Sequence, residues 1–253
     1  MRLLRFHDED GTALPGLLEG DAIIELEGDI FGGYAATSRV HPLAQTALLP
    51  PVVPQKIVAL ATNFIPHAAE MKKAVPDEPR LFLKAPSALI GHRAPIRLPP
   101  HVGSVEHEAE AAVVIGKRAR AVREEEALSV VFGLTAFNDV TARELQRRDG
   151  VFGRAKGFDT FAPCGPWIDT EALWDELLLE CRVNGELRQS ARLCEMIFPL
   201  PRIIAFVSRV MTLEPGDLIA LGTPAGVGPL QDGDTVEVLL EGVGALVNPV
   251  RAG

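Results

Sequence analysis

Glu108 and Glu110 stand two residues apart in the run Val105-Glu106-His107-Glu108-Ala109-Glu110-Ala111-Ala112-Val113-Val114-Ile115-Gly116. The second half of this run is apolar and β-branched, and a glycine ends it, so the pattern predicts a buried strand. Side chains two apart on a strand project to one face, which sets two carboxylates side by side at the mouth of a hydrophobic element. Paired carboxylates repel each other and are costly to desolvate. They call for positive charge between them, and a divalent cation would supply it. The competing reading is a solvated polar face, since Glu106 shares the same parity.

Asp139 adds a third carboxylate at the end of a second apolar run, Val130-Val131-Phe132-Gly133-Leu134-Thr135-Ala136-Phe137-Asn138. The sequence turns helical after it, from Val140 to Arg148. If Asp139 opens that helix, Asp139, Arg143 and Gln146 fall at i, i+4 and i+7 on one face. Three carboxylates without clustered Cys or His form an oxygen-only donor set, suited to Mg²⁺, Mn²⁺ or Ca²⁺ and unsuited to zinc. The alternative for Asp139 is an N-cap with an arginine pairing back to it.

Other residue pairs invite chemistry of a different kind. His67 and Glu70 are three apart after the strand-like Lys56-Ile57-Val58-Ala59-Leu60, close enough on one helical turn to touch. A Glu that orients and charges a His makes a competent general base, although pairs of this kind also occur as plain surface contacts. The following Lys72-Lys73-Ala74-Val75-Pro76-Asp77-Glu78-Pro79 is polar and broken by prolines, as in a lid segment. Lys156 is the one cation of the Gly- and Pro-rich loop from Ala155 to Pro166, and a lone loop lysine is usually solvated. Gly222-Thr223-Pro224-Ala225-Gly226-Val227-Gly228 lacks the Lys-Ser/Thr of a phosphate loop, yet its open amides and the Thr223 hydroxyl suit a carboxylate.

The elements that must position these groups are mostly strands. Residues 1 to 49 read as a small β-meander domain with turns at Asp10-Gly11 and Glu19-Gly20-Asp21; Pro50-Pro51-Val52-Val53-Pro54 is a stiff connector to a second domain, 50–253. Arg123-Glu124-Glu125-Glu126-Ala127-Leu128 reads as an exposed helix start. Asn184-Gly185 signals a hairpin, and Pro201 suits the first turn of a helix reaching about Met211. Strands follow one another without regular alternation with helices, which excludes Rossmann and TIM layouts and favours a β-rich α+β fold. There is no G-x-S-x-G, so a serine-hydrolase elbow is excluded too.

The 253 residues are 47% hydrophobic and 23% charged, as in an ordinary globular protein with a substantial core. A net charge of -9 argues against nucleic-acid and anionic-membrane partners, so an anionic substrate would need local counter-charge. Cys164, Cys181 and Cys194 show no metal or redox spacing and look like reduced thiols of a cytoplasmic protein. No signal peptide and no membrane span are expected.

From about Val53 onward the chain resembles the fumarylacetoacetate hydrolase superfamily. The resemblance rests on ordered blocks: Asn63-Phe64 with His67 and Glu70; Leu81-Phe82-Leu83-Lys84 with Pro86-Ser87; Glu108-x-Glu110 before Val113-Val114-Ile115-Gly116; Asn138-Asp139 with Arg143 and Gln146; Lys156-Gly157-Phe158-Asp159; and Gly222-Thr223-Pro224-x-Gly226-Val227. It implies a mixed β-roll or sandwich core with a small N-terminal β domain, and a homodimer. Glu108, Glu110 and Asp139 would hold Mg²⁺ or Mn²⁺, His67 and Glu70 would prepare water, and Lys156 would support an enolate. Arg143, Gln146 and Thr223 would contact a small oxo- or enol-dicarboxylate or diketo acid. Ala61-Thr62-Asn63-Phe64 departs from a Gly-x-Asn-Tyr run and His107 from a frequent Tyr, which bears on substrate choice.

The reaction the resemblance implies is hydrolytic cleavage of a carbon–carbon bond in a 2,4-diketo acid. The alternatives are 2-hydroxyhepta-2,4-diene-1,7-dioate isomerisation with 5-oxopent-3-ene-1,2,5-tricarboxylate decarboxylation in aromatic catabolism, oxaloacetate decarboxylation, or a non-catalytic metal-binding protein that kept the fold.

Overall fold

Turn residues cut the N-terminal segment into hairpins. In a computed structural model describing Met1–Gly253, Gly11 and Gly20 adopt left-handed φ between β1 (Arg2–His7), β2 (Ala13–Glu19) and β3 (Ala22–Asp29). The meander continues into β4 (Gly33–Pro42) and the short β5 (Leu48–Leu49). After the proline connector come β6 (Ile57–Ala61), α1 (Ile65–Glu70), β7 (Arg80–Lys84), β8 (Leu89–Ile90) and β9 (Ile96–Leu98). The central elements are β10 (Val105–His107), β11 (Ala109–Ile115), β12 (Val131–Asn138), β13 (Thr141–Ala142), α2 (Arg143–Asp149), α3 (Gly153–Lys156) and β14 (Ala162–Asp169). The remainder comprises β15 (Leu178–Val183), β16 (Glu186–Arg192), α4 (Leu200–Val210), β17 (Leu218–Ala220), β18 (Gly228–Pro229), β19 (Thr235–Leu240) and β20 (Gly244–Ala252).

These strands form a β-rich α+β fold. The largest sheet runs β4-β3-β2-β1-β14-β12-β11-β17-β6-β7, so the N-terminal meander extends the central sheet through the β1–β14 pairing. A second sheet, β16-β15-β19-β20-β9, packs across it, and β13-β10-β18 form a small third one. Side-chain alternation along β11 explains why that strand is buried on both faces. Ala109, Ala111, Val113 and Ile115 enter the main core with Leu179, Val238, Leu240 and Leu246 of the second sheet and Ile203, Ile204 and Val207 of α4. Ala112 and Val114 enter a separate cluster with Phe137, Ile168 and Ala220. Glu110 shares the parity of that second set.

Asn184 (φ 53°) and Gly185 (φ 82°) make the expected hairpin turn between β15 and β16, and α4 carries Pro201 at its start. Three local expectations are corrected. The carboxylate run is two strands: β10 pairs with β13 and β18, whereas β11 pairs with β12 and β17, and Glu108 sits at the break. There the Glu108 N–H donates to the Asn138 side-chain oxygen at 3.0 Å, and the Glu108 carbonyl accepts from the Asp139 N–H at 2.8 Å. Side-chain capture of the backbone interrupts the ladder.

Asp139 does not open a helix. The β-branched Thr141 pairs with Glu106 across β13 and β10, its hydroxyl donates to the Asp139 carbonyl at 2.8 Å, and α2 begins only at Arg143. The acidic run at Glu124 is likewise not an α-helix but a 3₁₀ segment, Glu124–Val130. No helix is long and apolar enough to cross a membrane.

Candidate active site

Glu108 at the β10–β11 break, Glu110 on β11 and Asp139 just past β12 bring carboxylate oxygens within 4.8 Å of one another, and all three residues are buried. Glu110 is fixed by the Gly222 N–H, which donates to its Oε2 at 2.8 Å. That approach requires glycine: Gly222 has φ +93°, and a Cβ there would lie 2.7 Å from the Cβ of Asn63. Asn63 in turn ties β6 to the rest of the site, its amide donating to the Leu221 carbonyl at 2.7 Å and its oxygen accepting from the Phe198 N–H at 2.9 Å.

The chain's own cations answer much of this negative charge. Lys156, at the end of α3, is buried and donates to Glu108 Oε2 at 2.8 Å, to Asp139 and to Thr141 Oγ1 at 2.8 Å. Lys84, at the end of β7, is also buried and donates to Asp139 Oδ1 at 2.6 Å. Arg143 opens α2 and reaches Glu106 Oε2 at 2.7 Å, Gln146 Oε1 at 2.6 Å and Glu108. It does not pair back to Asp139 as an N-cap arrangement would require. Glu106 is thus an anchor for Arg143 and not part of a solvated face.

Charge state follows from these partners. Burial opposes ionisation of Glu108, but Lys156 and Arg143 outweigh it and hold the carboxyl below the usual carboxylate range. Burial and the charges of Asp139 and Glu108 raise Glu110 well above that range, because the Gly222 amide is its only direct partner. Burial likewise works against the Lys156 ammonium, yet Asp139 and Glu108 raise its pKa overall. At Lys84 burial prevails over Asp139, and the pKa is lowered.

Above this cluster stands the His67–Glu70 pair. His67 is buried on α1, with Nδ1 3.0 Å from Glu70 Oε2, and it lines one cavity with Glu108, Glu110, Arg143, Lys156 and Thr223. The other Glu70 oxygen accepts from the Gly226 N–H at 2.9 Å, which joins α1 to the loop after β17. Gly226 also must lack a side chain, since a Cβ would lie 2.0 Å from the Arg188 carbonyl. Gln146 borders the same cavity. All nine residues singled out in the sequence therefore gather in one place.

The donor set fits a hard divalent cation. It offers carboxylate oxygens alone, converged and buried, and the Glu110 carboxyl has no cation of its own. A bound ion would offset the burial and like-charge repulsion that raise the Glu110 pKa.

Sequence reasoning passed over Lys84, Glu106 and Gln189 as site residues. Gln189, buried on β16, accepts from the Ala109 N–H at 3.0 Å and lies 2.9 Å from His107 Nδ1; its amide donates to Thr223 Oγ1 at 2.7 Å and to the Pro224 carbonyl at 2.8 Å. It thereby joins the carboxylate strand to the Thr223 loop. The only signal for it in the sequence is an amide at an inward position of a strand.

The chain is similar to known proteins over nearly its whole length. The family model "Fumarylacetoacetate (FAA) hydrolase C-terminal" matches residues 56–251, and "Rv2993c-like, N-terminal" matches residues 1–51. Protein Rv2993c of Mycobacterium tuberculosis is 44% identical over 260 residues, covering 99% of this chain and 98% of its own. The crystal structure of 2-hydroxyhepta-2,4-diene-1,7-dioate isomerase from Mycobacterium marinum is similar with TM-score 0.91 and 41% identity, covering 100% of this chain and 98% of its own. That of maleylpyruvate hydrolase from Sphingobium sp. SYK-6, in complex with manganese(II) ion and pyruvate, is similar with TM-score 0.83 and 34% identity, covering 100% of both chains.

Proposed function

The chain belongs to the fumarylacetoacetate hydrolase family, and on that premise we propose that it hydrolyses a carbon–carbon bond in a 2,4-diketo acid. The observation that carries this reading is the His67–Glu70 pair held over the carboxylate cavity by the Gly226 N–H. Glu108, Glu110 and Asp139 would hold Mg²⁺ or Mn²⁺. When bound, such an ion supplies Lewis-acid stabilisation of a chelated 2-oxo or 2-enol carboxylate.

The remaining steps belong to the chain's own side chains. With Nδ1–H donating to Glu70, His67 presents the Nε2 lone pair as the base. His67 takes a proton from water as the water oxygen bonds to the distal carbonyl carbon. The bond between C3 and C4 then breaks, its electron pair passes to the 2-oxo fragment as an enolate, and the second product leaves as a carboxylic acid. The proton held by His67 is available to return to C3, which regenerates the base. Lys156 supplies fixed positive charge where the enolate develops, and Arg143, Gln146 and Thr223 orient the substrate.

A second reading is isomerisation of a 2-hydroxydienedioate, favoured by the 41% identity to the Mycobacterium marinum isomerase. There the dyad would move a proton between carbons and no water would add. Turnover of acylpyruvates, oxaloacetate and 2-hydroxyhepta-2,4-dienedioate, each with Mg²⁺, Mn²⁺ or a chelator, separates these readings. The expected result is metal-dependent loss of the diketo-acid chromophore with release of two acids. His67→Ala should retain Mn²⁺ binding and lose about 10²–10⁴-fold in kcat. A variant that hydrolyses at the wild-type rate would refute the dyad.

A further inference from the structure

Lys73 lies just beyond the dyad helix, on the rim of the same cavity. Its ammonium sits over the Phe152 ring, 5.8 Å from the centroid, and makes no ion pair or hydrogen bond. Phe152 packs edge-on against Phe82 at 4.9 Å, and Lys156 lies over Phe82 at 5.0 Å. An aromatic wall thus separates two lysines: one inside the carboxylate cluster, one at the mouth. The charges felt at Lys73 include Arg143, Lys156, Arg80 and Glu108, and the one carboxylate among these four is already held by Arg143 and Lys156. The residue is exposed, but partial burial of its ammonium, followed by the charge of Arg143, pushes Lys73 below its ordinary pKa.

The backbone delivers this lysine on purpose-built geometry. Just past α1, Lys72 adopts φ 52°, a left-handed conformation that usually belongs to glycine at this position. The Lys72 N–H donates to the Ala69 carbonyl at 3.0 Å, and the Lys73 N–H donates to the Ala68 carbonyl at 2.9 Å. This two-bond cap fixes where the chain leaves the helix, and so where Lys73 begins. An unpartnered ammonium that lines the catalytic cavity beside other cations is free to meet an anionic group of a ligand bound there.

We propose that Lys73 anchors a second carboxylate, at the end of the substrate remote from its 2-oxo acid head, so that the enzyme selects dicarboxylates over monocarboxylates. The inference rests on the reading that the cavity receives a 2-oxo or 2-enol acid. It deepens that reading by naming the side chain that would recognise the second carboxylate.

The test uses two ligands of equal length, 2-oxoadipate and 2-oxohexanoate, which differ in the terminal carboxylate alone. Calorimetry on Mn²⁺-loaded protein should show 2-oxoadipate binding roughly 10–100-fold more tightly, the range of one charge-assisted hydrogen bond. Lys73→Met should erase that gap and leave 2-oxohexanoate affinity unchanged, whereas Lys73→Arg should keep most of it. The proposal is overturned if the wild type shows no gap, if Lys73→Met retains it, or if Lys73→Met weakens both ligands equally. Failure of both ligands to bind the wild type would remove the anchor and the cavity reading together. A gap abolished by Lys73→Met, without turnover of any diketo acid, would support the anchor and refute hydrolysis.

Discussion

Replacing Lys156 by Met measures how far the chain's own cations balance the carboxylate cluster. The side chain is buried and its ammonium touches Glu108, Asp139 and Thr141. Removing one partner of a buried ion pair costs about 3–5 kcal/mol, because the other charge is left uncompensated. Two features place the loss at the lower end. Glu108 keeps Arg143, and Asp139 keeps Lys84 at 2.6 Å. The expected loss in metal-free protein is therefore about 3 kcal/mol. In a chain of this size that corresponds to a fall in Tm of roughly 6–12 °C.

The pH dependence has a definite sign. In the wild type, Glu108 sits below its ordinary range, so its stabilising contribution is present above its unfolded pKa and lost only in strong acid. Without Lys156, the Glu108 pKa rises relative to the wild type. Its protonation then relieves the variant at low pH, so the deficit should be larger at pH 8 than at pH 5. Thermal melts of the chelator-treated proteins at both pH values check this. Saturating Mn²⁺ should restore much of the variant's Tm through binding to the folded state, while turnover stays depressed. A Tm unchanged within about 1 °C at pH 8 would refute the charge-balance argument. Full recovery of turnover with Mn²⁺ would remove Lys156 from the chemistry.

Gln189→Leu keeps the bulk of the side chain but strands the Ala109 N–H and the Pro224 carbonyl. At about 1–3 kcal/mol for each buried unpaired group, urea unfolding should show a loss of about 2–6 kcal/mol, and a higher KM should report the freed Thr223. Burial pushes the thiols of Cys164 and Cys181 up to about 12, while Cys194 is exposed. An aromatic disulfide reagent at pH 8 should therefore titrate one thiol rapidly in the folded protein and all three after denaturation; three fast thiols would contradict the packing.

Several features were local enough to be legible in the sequence. The two-residue spacing puts Glu108 and Glu110 together whatever surrounds them, and the three-residue spacing lets His67 meet Glu70 within one turn. Asn184-Gly185 specifies a hairpin through its own backbone preferences, and the succession of strand patterns yields a β-rich fold. The stretch after Asp139 misleads because the helix-like polarity that begins at Arg143 continues the pattern backwards, whereas α2 starts only at Arg143. The ladder between Thr141 and Glu106 pairs residues 35 positions apart and overrides that local pattern. The break at Glu108 was hidden for the same reason, since it depends on the Asn138 side chain across the sheet.

Residue type and short spacing are properties of the chain, and they already mark which side chains are equipped for acid, base and ion-binding chemistry. Their charge and company come from the folded packing. It placed Lys84 and Lys156 against Asp139, engaged Arg143 with Glu106 and Glu108, and left Glu110 with a single backbone amide. Those outcomes depend on burial and on partners from distant strands. Desolvation and Coulomb interaction act through space, and chain order does not record the distances over which they act.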